Sequence, residues 1–160
     1  MSDVTPVRRK AAFIFILITV VLDMLALGVM IPVLPKLITQ FEGGDISRAA
    51  AVSGVFGFAW ALMQFLFQPV LGSLSDRFGR RPVVLASNLG LGLDYIFMAL
   101  APSLPILFIG RLISGATAAS FSTAGAYIAD ITPPEKRAGL FGVLGAAFGF
   151  GFILGPAIGG

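Results

Sequence analysis

Long apolar runs, separated by short polar or proline-containing breaks, organise the chain from end to end. They extend from Ala11 to Val33, Ala50 to Leu71, Val83 to Ala101, Leu104 to Ala129, and Gly139 to the final Gly160. Each holds about 18 residues or more, enough as a helix to cross roughly 30 Å of hydrocarbon at ~1.5 Å per residue. The pattern predicts an all-α membrane protein: five transmembrane helices, over about 11–33, 50–71, 83–101, 104–129 and 139–160, in one bundle spanning residues 11–160. Residues 1–10 form a short N-terminal segment outside it. The first run is too long for a signal peptide, and "DMLALGVMIPVLPK" offers no small-residue cleavage site, so it reads as a retained helix.

Composition agrees with this class. Of 160 residues, 57% are hydrophobic and 12% charged, and a soluble domain of this length needs more charge to keep its surface in water. With no cysteine and no histidine, disulfides, thiolate metal sites and imidazole ligands are excluded, and no metal or cofactor is expected. No pairing of nucleophile with base marks the chain as an enzyme.

The net charge of +3 follows topology rather than a nucleic-acid partner. Arg8, Arg9 and Lys10 precede the first helix, Arg77, Arg80 and Arg81 lie between the second and third, and Lys136 and Arg137 between the fourth and fifth. The opposite loops hold Lys36 and Arg48, balanced by Glu42 and Asp45, while "APSLP" is uncharged. The positive-inside rule then places the N-terminus in the cytoplasm, with the lipid bilayer as the surrounding partner.

Charged groups within a bilayer are unfavourable and mark function by default. Asp23 lies 13 residues after Lys10 and Asp94 12 residues after Pro82, which puts them roughly 20 and 18 Å from the cytoplasmic boundary. Arg111 comes six residues after Pro105, about 9 Å from the outer boundary and so roughly 21 Å from the inner one. Two carboxylates and one guanidinium are thus expected in one layer, facing the bundle interior. They form either a structural ion pair or a proton and substrate site, since burial disfavours a charged carboxylate and a neighbouring cation favours it.

Trp60, Gln64 and Gln68 recur at four-residue spacing on one face of the second helix, where they either line a cavity or join helices. The fourth helix has small residues at Gly110, Ser114, Ala118, Ser122 and Ala126, and the fifth has Gly151, Gly155 and Gly159, faces suited to close helix packing. Pro32, Pro35 and Pro156 fall inside helices and favour kinks.

Several of these stretches resemble the major facilitator superfamily. "GSLSDRFGRRPVVL" is similar to the family's loop between helices 2 and 3, of the form G-x-L-x-D-R-x-G-R-R/K. "ILFIGRLISGATAA" resembles its helix 4 motif, "GFGFILGPAIGG" the helix 5 motif of proton antiporters, and "LDMLALGVMIPVLP" the helix 1 motif of drug–proton antiporters. "LGLDYIFMALAP" and "IADITPPEKRAGLFGVLGAAFGFG" look closest to the tetracycline efflux branch.

The resemblance implies about twelve helices in two pseudo-symmetric halves, this chain being the first half without its sixth helix and the C-terminal half its partner. It implies efflux of a drug such as tetracycline across a bacterial inner membrane by alternating access, driven by the proton gradient without a cofactor. Asp76 would engage a helix of the other half, Arg80 would pair with Asp130, and Gly72 and Gly79 would allow close approach and the tight cytoplasmic loop that also carries Arg77 and Arg81. Arg111 would take part in proton coupling, Asp23 and Asp94 in substrate or proton binding, and Gly151, Gly155, Pro156 and Gly159 in antiport. The rival expectations are a small membrane scaffold or partner subunit whose polar residues serve assembly alone, or a major facilitator exporter of another substrate; further hydrophobic segments downstream of Gly160 would favour an exporter.

Overall fold

The structure, a computed structural model, describes residues 6–159. The side chains of Arg8, Arg9 and Lys10, residues 1–5 of the expected N-terminal segment, and Gly160 lie outside the described residues. Among the described residues there are six helices: α1 (Pro6–Phe41), α2 (Ile46–Phe78), α3 (Arg80–Leu100), α4 (Leu104–Thr117), α5 (Ser120–Ile131) and α6 (Pro134–Gly159). Among the described residues, five segments are long and apolar enough to cross a membrane, the fourth being α4 and α5 in succession.

Several helix ends do not coincide with the ends of the apolar runs, because hydropathy marks what lies in hydrocarbon whereas local backbone chemistry ends a helix. α1 continues past Val33 to Phe41, through both Pro32 and Pro35. Its turn into α2 uses Gly43 and Gly44 at φ 65° and 91°, and Asp45 caps α2 by accepting from the Arg48 amide at 3.0 Å. α2 in turn runs on to Phe78, and Gly79 at φ 94° is the single residue separating it from α3.

The fourth span departs from the expected continuous helix. It opens at Ala118 (φ −71°, ψ 82°) and Ala119 (φ −124°, ψ −3°). No proline is responsible, and the prolines expected to bend α1 and α6 sit within helices that continue through them. The Thr117 hydroxyl also bonds back to the Ile113 carbonyl within α4, at 2.9 Å.

Two apolar clusters hold the bundle. One joins Ile16, Val20 and Met24 of α1 to Ala124 and Ile128 of α5 and Leu144 of α6. The other joins Met30 and Ile38 of α1 to Phe56 of α2, Met98 of α3 and Leu107 of α4, with the Phe56 and Phe108 rings edge to face at 5.1 Å. Along α4 and α5, buried Arg111, Ser114 and Thr123 fall between Leu107 of the second cluster and Ala124 of the first. α1 lies most extensively against α6, and α4 against α2 and α3.

Candidate functional site

α3 presents Ser87 and Asp94 to α4. Asp94 and Arg111 are 1% and 3% exposed. Arg111 Nε donates to Asp94 Oδ1 at 3.2 Å, and Nη2 pairs with Asp94 Oδ2. The fork-on-fork arrangement satisfies a guanidinium and a carboxylate together in the interior, where either alone would be strongly unfavourable. Gly110 allows the approach, since a Cβ there would lie 2.8 Å from Phe97 Cβ and 2.9 Å from Asp94 Oδ1.

Asp23, 7% exposed, stands on a different wall. It lines a cleft together with Trp60, Gln64 and Gln68 of α2, Ser87 of α3, Ser114 of α4 and Ser122 of α5. The Trp60 indole N–H donates to Ser114 Oγ at 3.2 Å, which fixes the ring across α2 and α4. Trp60 also borders a second cleft, lined by Leu27, Met30, Ile31, Phe56 and Arg111. Of the expected three-charge layer, the structure brings Asp94 and Arg111 into contact and sets Asp23 in a cleft with the two glutamines.

Next to Asp94, the Tyr95 hydroxyl donates to the Ala26 carbonyl of α1, three residues on from Asp23. Adjacent residues of α3 therefore grip α4 and α1. In sequence Tyr95 is one more apolar-looking position of "LGLDYIFMALAP", and nothing there points to a partner on α1.

At the end of the bundle where α2 meets α3, Arg80 collects three partners. It pairs with Asp76 Oδ1 at 2.8 Å and Asp130 Oδ2 at 2.7 Å, and donates to Ser75 Oγ at 2.9 Å. A cation in the first turn of α3 opposes the helix dipole, and the two carboxylates offset that. Asp76 thus has a partner within the chain, while its side chain remains 67% exposed. Arg77 and Arg81 lie 5.4 Å from the ring centroids of Phe78 and Phe15. Gly79 makes the turn, but Gly72 does not: it sits inside α2, where an added Cβ would meet nothing within 4 Å. Its expected part in the loop is corrected, because the helix does not end until Phe78.

Topology alone does not account for Arg137. Its Nε donates to the Thr132 carbonyl at 3.0 Å and its Nη2 to the Ala129 carbonyl at 2.9 Å, closing the C-terminal end of α5 on both sides of Asp130. Ser75, Ser87 and Ser114 are bonding groups that the sequence does not reveal. A serine in an apolar helix carries no mark of its partner, which in each case comes from another helix.

The α6 glycines pack on α1. Gly151 lies against Met24, Gly155 against Gly28, and Gly159 against Val29, while Pro156 Cδ also borders Gly28.

The sequence matches the Major Facilitator Superfamily over residues 16–160. It is 52% identical over 153 residues to the class C tetracycline resistance protein of Escherichia coli, covering 96% of this chain and 38% of that protein. The class B tetracycline resistance protein of Escherichia coli is 46% identical over 144 residues, covering 90% of this chain and 35% of that protein. Among solved structures, the human organic anion transporter MFSD10 (TETRAN) is similar with a TM-score of 0.78 and 26% identity, covering 98% of this chain and 42% of that one. The chain thus spans roughly two-fifths of the length of these proteins.

Proposed function

The chain belongs to the Major Facilitator Superfamily, and from that premise we propose that it is the N-terminal part of a proton-coupled exporter of a drug-like small molecule, tetracycline or a related compound. Alternating access in a bacterial inner membrane, with the N-terminus cytoplasmic, would rock this bundle against a C-terminal half. The proton gradient supplies the energy, and no cofactor or enzymatic step is involved.

The observation that carries the reading is the cleft that one carboxylate, Asp23, shares with two amides and an indole. A polar, polycyclic drug offers hydroxyl and amide groups for Gln64 and Gln68 and a flat surface for Trp60. Arg111 is engaged with Asp94, so the cleft's own charge is acidic and suits a cation, zwitterion or proton better than an anion. Protonation of Asp23 or Asp94 from the outside would weaken substrate or ion-pair contacts and favour release. Asp76, Arg80 and Asp130, with Arg77, Arg81 and the glycine turn, would act as the cytoplasmic gate, Asp76 exchanging its bond to Arg80 for one to the other half.

Everted vesicles from cells expressing the full-length gene test this. Tetracycline addition should release protons in proportion to drug taken up; drug uptake that persists after the proton gradient is dissipated sinks proton coupling, and absence of uptake sinks the substrate assignment.

A further inference from the structure

The break between α4 and α5 lies in "GATAAS", where alanine favours an unbroken helix and no proline interrupts it. Its cause sits on another helix. Ser87 of α3, 5% exposed, accepts from the Ala119 amide at 3.0 Å and donates to the Thr117 carbonyl. One hydroxyl can do both, because it carries a proton and two lone pairs. Open backbone at membrane depth persists only where protein groups satisfy it.

A second contact three residues along α3 supports the same arrangement: Thr117 occupies the space where a Cβ on Gly90 would sit. Ser87 and Ala118 both line the Asp23 cleft, with Ser114 before the break and Ser122 after it. Helical closure of two residues would shorten the span by at most about 3.6 Å, from ~3.3 to ~1.5 Å per residue. That movement would draw Ser122 towards Ser114 and reshape the wall opposite α2.

We propose that Ser87 is a positioning residue of the cleft: by holding both ends of the α4–α5 break, it sets the wall that Ala118 and Ser122 present to a bound drug. The inference rests on the export reading for its ligand, but its geometry can be tested without transport. The 160 residues contain no cysteine, so Ala118→Cys in a full-length protein cleared of other thiols reports on that wall through its rate of reaction with a small methanethiosulfonate.

Ser87→Ala should change that rate at least fivefold and raise the KM for tetracycline about tenfold, the scale of two backbone groups losing their partner, with kcat within about twofold. Ser87→Thr keeps the hydroxyl and should restore both. Unchanged labelling and KM in Ser87→Ala overturn the proposal, as does a Ser87→Thr protein as impaired as Ser87→Ala. If Ser87→Ala does not accumulate in the membrane, Ser87→Thr alone decides: values within about twofold of the parent support the proposal, and loss of either overturns it. Failure of the parent protein to move tetracycline would overturn the substrate assignment, while labelling without drug would still decide the role of Ser87.

Discussion

Gly28 of α1 and Gly155 of α6 meet backbone to backbone: a Cβ on Gly28 would lie 2.8 Å from Gly155 Cα and 3.0 Å from the Gly151 carbonyl oxygen. Lipid tails are as apolar as leucine, so helices in a bilayer gain little from hydrophobicity and associate through close packing. The contact brings α1, which carries Asp23, against the α6 segment that ends in Pro156 and Gly159.

Gly155→Ala should therefore destabilise the bundle by about 1–3 kcal/mol through overpacking. Gly149, on the same helix, has nothing within 4 Å of a Cβ position, and Gly149→Ala should change stability by less than about 0.5 kcal/mol. Thermal unfolding of the full-length protein in one detergent compares the two directly. Equal shifts would remove the seam as a determinant of stability.

The buried pair makes a different prediction. Asp94→Asn leaves the Arg111 guanidinium without its counter-charge in the interior and should cost about 3–5 kcal/mol, whereas Asp94→Leu with Arg111→Leu should recover most of that loss. A double-mutant cycle of Asp94→Leu, Arg111→Leu and the two together, followed by chemical unfolding, measures the coupling. Additive losses would mean that the two groups are independently hydrated.

Five spans were legible in the sequence because the thickness of a bilayer dictates their length, whatever they pack against. Depth was legible for the same reason, since rise per residue converts sequence position into height. Rise says nothing of azimuth, and so the arithmetic could not tell that Arg111 meets Asp94 while Asp23 shares a cleft with Gln64. The bond between Arg80 and Asp130, 50 positions apart, entered only through resemblance. The break at Ala118 was illegible locally, because its support is a hydroxyl 30 positions upstream of the Thr117 carbonyl that receives it.

The Arg80 cluster separates stability from function. Its carboxylates are more than half exposed, at 67% and 56% of side-chain area, and such pairs contribute little to stability. Asp76→Asn should leave membrane insertion and the unfolding midpoint unchanged, yet abolish drug-dependent proton exchange in vesicles. Arg80→Lys should not restore what Arg80→Ala loses, because a single ammonium cannot reach Asp76, Asp130 and Ser75 together in the geometry of a planar fork. Undiminished exchange with Asp76→Asn would refute its gating role.

Trp60 gives the cleft a reporter of its own. It is the single tryptophan of the 160 residues, it lines the cleft with Asp23, and its N–H is held by Ser114 at 3.2 Å. A drug entering between α2 and α4 must either stack on the indole or displace its bond, and both change its emission. Titration of the full-length protein with tetracycline should therefore quench a fluorescence component that Trp60→Phe removes. Gln64→Ala should shift that titration to about tenfold higher drug concentration, the equivalent of about 1.4 kcal/mol, because a drug group desolvated in the cleft then lacks its amide partner. Ser114→Ala should alter the emission of the free protein and leave the titration midpoint within about threefold, since the bond it removes is not one to the drug. If Trp60→Phe retains the full quench, the drug binds elsewhere, and the cleft built from Asp23, Gln64 and Gln68 is not its site.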